Sequence, residues 1–222
     1  MDMRRLAGLG LVFMMLLALA IPECISGETE PSVTFSAWGG VGIVSSVWHF
    51  YVVKDMRVSA PRAFGMGVGY GPFPCAYDTR LSFSLEGLWF TVGTREAELK
   101  DYPFGTAKLR IDSELGLAYA SLSAPNRLSP FVRLGLGAAR VDFAETYSSH
   151  RLRDVLIDYW AFAYGFGAGI HYTVSPRVGI SACYDGIYIP GDKRGRRSDG
   201  IPTGIFGSWG GEWARLAVHV RL

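Results

Sequence analysis

From Ile157 to Val174 the chain alternates without a break. Trp160, Phe162, Tyr164, Phe166, Ala168, Ile170, Tyr172 and Val174 share one parity. Tyr159, Ala161, Ala163, Gly165, Gly167, Gly169, His171 and Thr173 share the other. Successive side chains of a strand point to opposite faces, so bulky apolar groups fall on one face and small or polar groups on the other. In water the bulky face needs a partner sheet. In a bilayer it is the lipid-facing side of a barrel strand, with its ring-bearing ends at the two interfaces.

Seven further segments alternate: about Ser32–Val41, Arg62–Gly71, Leu81–Gly93, Ala107–Ser121, Pro130–Phe143, Arg177–Ile189 and Gly211–Leu222. Near Gly87 the phase becomes ambiguous, as a bulge would make it. The links alternate as well. Pro72–Arg80, Leu122–Ser129 and Ser175–Pro176 are short, whereas Gly42–Pro61, Thr94–Thr106, Ala144–Leu156 and Gly191–Gly210 are long. Short turns at one end and long loops at the other are the asymmetry of outer-membrane barrels, and an even strand count puts both termini at the short-turn end. The expected fold is an all-β, eight-stranded antiparallel up-and-down transmembrane β-barrel.

Arg4 and Arg5 precede an apolar run from Leu6 to Ile21, which Pro22 breaks before Ser26 and Gly27. That order reads as a cleavable signal peptide over residues 1–27, ahead of a barrel domain over 28–222. The rival is a retained membrane anchor. Later in the chain no continuous apolar stretch is long enough to span as a helix, so contact with lipid is made by strands or not at all. A net charge of +2 gives no global field for nucleic acid. Of three cysteines, Cys24 closes the signal region, where Pro22 and Glu23 argue against lipidation. Cys75 and Cys183 read as separated free thiols. No Cys/His cluster has zinc spacing, so neither metal nor cofactor is expected.

Glu86, Lys108, Arg110, Asp112, Glu114, Arg133, Asp185 and Arg215 all oppose the bulky parity. In a soluble barrel that parity would face water. Tyr119, Trp160, Tyr172 and Tyr184 read as strand-end girdle residues and favour the membrane arrangement, with the charges inside. An eight-stranded lumen is just wide enough for side chains to fill, and buried charges there must pair. The expectation is a lumenal ion-pair network of those eight residues. Gly65, Gly67, Gly135, Gly137, Gly165 and Gly167 would make room for it.

The stretch Ser129–Val141, with its Arg133-Leu134-Gly135-Leu136-Gly137 centre, resembles a strand of the small bacterial OmpA/OmpX/OmpW-like outer-membrane barrels. So do Tyr164–Tyr172, the turn Ser175-Pro176-Arg177 and the strand Val178–Tyr184. The resemblance covers the second half of the chain well and the first half by pattern. It implies outer-membrane localisation in a diderm bacterium, contact with lipopolysaccharide or other outer-leaflet lipid, and insertion by the barrel-assembly machinery. It also implies a C-terminal insertion signal, carried here by Val218, Val220 and Leu222. The family's usual terminal aromatic is replaced by Leu222.

Some small barrels edit lipid A, which needs a nucleophile and a base within hydrogen-bond reach. Ser148-Ser149-His150 is the one Ser/His cluster in sequence, and adjacent residues rarely make a working dyad. His171 and His219 read as satisfied lumen or interface histidines. No catalytic residue is assigned. The Gly-x-Gly repeats lie within strands, with no helix N-terminus to cradle phosphate. In the loop Gly191–Gly200, Lys193, Arg194, Arg196 and Arg197 could meet lipopolysaccharide phosphates or an acidic host polymer. The leading expectation is a structural, surface-interacting outer-membrane protein. A narrow OmpW-like channel for small apolar solutes, capped by Val47–Tyr51, is the alternative, and a lipid A-modifying enzyme is the remote one.

Overall fold

The computed structural model describes residues 31–46, 62–93, 97–98, 106–148, 155–190 and 209–222. The signal segment, the 47–51 stretch, His150 and the 193–197 basic loop lie outside them. The alternating segments, rich in β-branched and aromatic residues and parted by Pro, Gly and Ser, form strands. These are β1 (Ser32–Ser46), β2 (Arg62–Cys75), β3 (Thr79–Gly93), β4 (Ala97–Glu98), β5 (Thr106–Ser123), β6 (Leu128–Tyr147), β7 (Val155–Thr173), β8 (Val178–Ile189) and β9 (Trp209–Arg221). All pairings are antiparallel. β1 pairs with β9 and β3 with β5, so eight long strands close into an up-and-down barrel. β4 adds only the pairs Ala97↔Ala107 and Glu98↔Thr106. Closure leaves no unpaired edge in the wall, which is what a strand structure in lipid requires.

Turns close the short end. Val178 N donates to Ser175 Oγ at 3.1 Å, and Ser129 Oγ donates to Asn126 O. Between β2 and β3 the register slips at Tyr70/Phe73, beside Gly71 at φ 135°. There Phe73 and Leu122 cover Leu81. No bulge interrupts Gly87: β3 keeps continuous register with β5 from Arg80 to Gly93. The ambiguity expected there has another cause. Glu86, Leu88 and Phe90 all face the lumen, and it is the lumen that changes from ionic to apolar at this level.

The outer surface carries the apolar band. Phe64, Met66, Leu85, Leu136, Phe162 and Leu216 point outward, and Trp160 and Phe162 are 71% and 72% exposed. Soluble domains rarely show an apolar surface this continuous, and in hydrocarbon it is the stable side. A bilayer needs roughly 9–11 tilted residues per strand. β5, β6 and β7 have 18, 20 and 19. They therefore project beyond the lipid at the long-loop end. One cross-strand row, Trp89↔Glu114↔Arg140↔Trp160, marks the boundary with two indoles around two charges. Beyond it lies the row Thr91↔Asp112↔Asp142↔Asp158.

Above that boundary the polarity of the wall inverts. The outer face gains Glu114, Arg140, Asp112, Asp142 and Asp158, with Leu156 exposed among them, and the lumen is filled by Phe90, Ile111, Val141, Phe143, Tyr159 and Trp213. This part of the barrel follows the rule for proteins in water, with apolar side chains inside. Four of the eight expected lumen charges are thereby corrected. Lys108, Arg110, Asp112 and Glu114 belong to the outer face of β5, while Ile111, Leu115, Leu117 and Tyr119 face inward and are buried. Tyr119, expected in a girdle, is a lumen residue only 2% exposed.

Candidate functional site: an ion belt and the vestibule beneath it

Four strands each send one charged side chain to the barrel axis: Glu86 from β3, Arg133 from β6, Asp185 from β8 and Arg215 from β9. All four are buried. Arg133 meets Glu86 Oε1 through Nη1 at 2.6 Å and Asp185 Oδ2 through Nη2 at 2.6 Å. Its Nε donates to Asp185 Oδ1 at 2.9 Å, making the Asp185 contact bidentate. Arg215 completes the ring, with Nη1 at 2.8 Å from Glu86 Oε2 and Nε at 2.8 Å from Asp185 Oδ2. Opposite charges alternate around a neutral square. Guanidinium groups suit this because their planar forks satisfy two carboxylates at once.

Aromatic faces and glycines seat the square. Arg133 stacks 4.1 Å from the centre of the Tyr119 ring, and Arg215 stacks 4.7 Å from that of Trp38. A Cβ on Gly165 would stand 2.4 Å from the Tyr119 hydroxyl, and one on Gly167 would stand 2.0 Å from Asp185 Oδ1. The small parity of β7 is thus the space into which other strands insert their large groups. Cys183 lies beside the square. Its thiol donates to Asp185 Oδ2 at 3.4 Å, and Arg215 Nε approaches its sulfur at 2.9 Å. Cys183 is a free buried thiol, as read from sequence. Cys75, also expected to be a free thiol, is disulfide-bonded.

Below the square, at the short-turn end, the lumen opens into a cavity of about 220 Å³. Serine and threonine residues recur around its wall, among them Thr34, Ser36, Ser84, Ser121 and Ser181. Glu86, Arg133 and Arg215 form its roof, and Arg80, Arg177 and Arg221 stand toward its mouth. His171 and His219 line it with ring centres 5.0 Å apart. His219 Nε2 is 2.8 Å from Ser181 Oγ. The two residues are 38 apart in sequence, so this Ser–His contact is invisible to a search for neighbours along the chain. The signal was present: both residues lie on the inward parity of strands that pair, with Gly179 opposite His219.

The remaining expected residues fall outside this site. Trp160, Tyr172 and Tyr184 point outward. Tyr172 lies under the guanidinium of Arg127 at 5.1 Å, and Tyr184 donates its hydroxyl to Glu212. Trp89 and Phe64, stacked at 5.4 Å, are outer-face aromatics that the sequence reading did not single out. Arg110 pairs with Asp112 at 2.6 Å, and Arg140 with Asp158 at 2.8 Å, on the outer wall. Val218 and Val220 face outward on β9, and Leu222 is exposed just past its end. Ser148 accepts from Thr106 N at 2.7 Å, a loop-closing bond between β5 and β6.

A closed antiparallel wall, apolar outside and ionic at its centre, defines a transmembrane β-barrel protein. No family model and no curated protein matches the sequence. Among solved structures the chain is similar to Neisserial surface protein A at 16% identity and TM-score 0.44, over 89% of this chain and 100% of that one. It is similar to the N-terminal β-barrel domain of Pseudomonas aeruginosa OprF at 16% and 0.47, over 86% and 97%. It is also similar to Ail, the attachment invasion locus protein of Yersinia pestis, at 16% and 0.37, over 86% and 97%. The fold assignment rests on the strand pairing of this chain itself.

Proposed function

We propose that the chain is a non-enzymatic integral protein of a bacterial outer membrane, with a structural role and a surface-interaction role served by its long loops. The observation that carries this reading is the doubly filled lumen. The ion square crosses the axis, and Trp38, Phe90 and Trp213 pack above it, with Phe90 and Trp213 ring centres 5.2 Å apart. A barrel filled this way is a peg rather than a pore. Its outward charged rows would sit among outer-leaflet headgroups, and lipopolysaccharide is the lipid such rows would meet. The outward Val218, Val220 and Leu222 would present the insertion signal to the assembly machinery. The basic loop carrying Lys193, Arg194, Arg196 and Arg197 would face a surface ligand.

Two observations weigh against the other readings. Passage of apolar solutes needs a path past the packed aromatics. Hydrolysis needs more than the Ser181–His219 contact: the serine is buried, and His219 has no carboxylate partner among the described residues. Planar-bilayer recording of the purified barrel tests the reading. Silence is expected, together with heat-modifiable mobility in detergent. Steady unit conductance would replace the structural role with the transport one.

A further inference from the structure

We propose that the short-turn vestibule is a binding site for a small anionic saccharide, a sugar bearing a phosphate or a carboxylate. The cavity is independent of the long loops and of the surface role proposed above. Two properties of its wall define the ligand. Serine and threonine hydroxyls recur around it, and a hydroxyl both donates and accepts, as a polyol requires. Its charge is also unbalanced. Glu86 is the one carboxylate lining it among the described residues, and both its oxygens are already held by Arg133 and Arg215. Arg80, Arg177 and Arg221 line the same space and pair with no carboxylate among the described residues.

With Asp185 the square above is neutral and fixed, so the excess positive charge sits toward the mouth. Low-dielectric walls concentrate such a field within the cavity. Guanidinium forks match phosphate and carboxylate oxygens, which a neutral sugar lacks. A volume of about 220 Å³ suits a monosaccharide and its anionic group rather than a polymer. The dead end at the ion square makes this a site of capture, not of transit. His171 and His219 add ring nitrogens on one side of the same wall.

The test uses the whole barrel in detergent, with glucose 6-phosphate, glucuronate, glucose and inorganic phosphate as probes. Proton–nitrogen correlation spectra follow the amide and arginine Nε–H signals. Saturable shifts at Arg177, Arg221 and Ser181 are expected with the phosphorylated sugar, the carboxylated sugar or both, and the two arms tell which anion is preferred. Glucose and phosphate alone should bind about tenfold more weakly or less. The Arg177→Gln/Arg221→Gln variant should lose about tenfold or more in affinity, and Arg110→Gln on the outer wall should lose none. Arg221 adjoins the C-terminal strand end, so Ser121→Phe, which fills the cavity from β5, gives the same loss by a second route. No saturable shift with either sugar anion overturns the proposal. So does equal affinity for glucose, or affinity that survives both variants.

Discussion

At the scale of single residues, the ion square carries the largest local consequence. Each guanidinium has exchanged water for two carboxylates, and the exchange holds only while all four groups are present. Arg133→Leu leaves Glu86 with one partner and strips Asp185 of its bidentate contact. Breaking a buried pair in this way costs about 3–5 kcal/mol. A large fall in the urea midpoint is expected for the variant refolded in lipid, read by tryptophan fluorescence. Arg140→Leu, which breaks an exposed pair with Asp158, should stay near the parent midpoint. Equal midpoints for the two would take the square out of the stability argument. Glu86, Arg133, Asp185 and Arg215 were legible from parity alone, since each opposes a bulky run. Lys108, Arg110, Asp112 and Glu114 met the same criterion and lie elsewhere. Parity says which side charged residues share; it does not say which side faces lipid at that height. Tyr119 differs from its expected girdle position for the same reason, since its parity in β5 faces the lumen.

At the scale of the element, β5 shows what was missed. Its odd positions run Ile111, Ser113, Leu115, Leu117, Tyr119, Ser121 and Ser123, apolar at one end and hydroxylic at the other. Its even positions run charged and then small, from Lys108 through Glu114 to Gly116, Ala118 and Ala120. Neither face is apolar throughout, because the strand crosses from water into lipid while its interior crosses from an apolar plug into a polar vestibule. β7 was read correctly because its inward parity is small almost throughout, so its outward face could not be mistaken. Two glycines test these phases. Gly116 points outward with nothing within 4 Å of a Cβ, whereas a Cβ on Gly165 would meet Tyr119 at 2.4 Å. Gly116→Ala should stabilise by about 0.5–1 kcal/mol, since glycine within a strand costs that much relative to alanine. Gly165→Ala should destabilise by about 1–3 kcal/mol through overpacking. Heat-modifiable mobility against temperature reads both, and the reverse order would mean that β5 or β7 is turned over.

At the scale of the whole molecule, the barrel is two proteins stacked on one wall. Its lower part obeys lipid, with apolar groups outside and ions or hydroxyls within. Its upper part obeys water, with charges outside and an aromatic core. Strand lengths alone hinted at this, since 20 residues in β6 exceed what a bilayer uses. The height of the changeover was not readable from one strand at a time. It emerges only when register sets Trp89, Glu114, Arg140 and Trp160 side by side. Spin labels placed at Asp142→Cys, Asp158→Cys, Phe162→Cys and Leu136→Cys in a lipid-reconstituted barrel measure that height directly. The first two should relax strongly with a water-soluble nickel chelate and weakly with oxygen. The last two should do the opposite, although Asp158 and Phe162 share one face of one strand. The labels are placed in a Cys75→Ser background, and Cys183 is buried and should stay unlabelled. A label at position 142 or 158 that behaves like the one at 162 would put the whole wall in lipid. Charged outer rows would then lie in hydrocarbon, where a cation costs ~2–4 kcal/mol at mid-depth and an acidic group less. The outer pairs of Arg110 with Asp112 and of Arg140 with Asp158 would offset only part of that cost, so the water-facing upper wall is the arrangement in which the outer charges and the aromatic core are both stable.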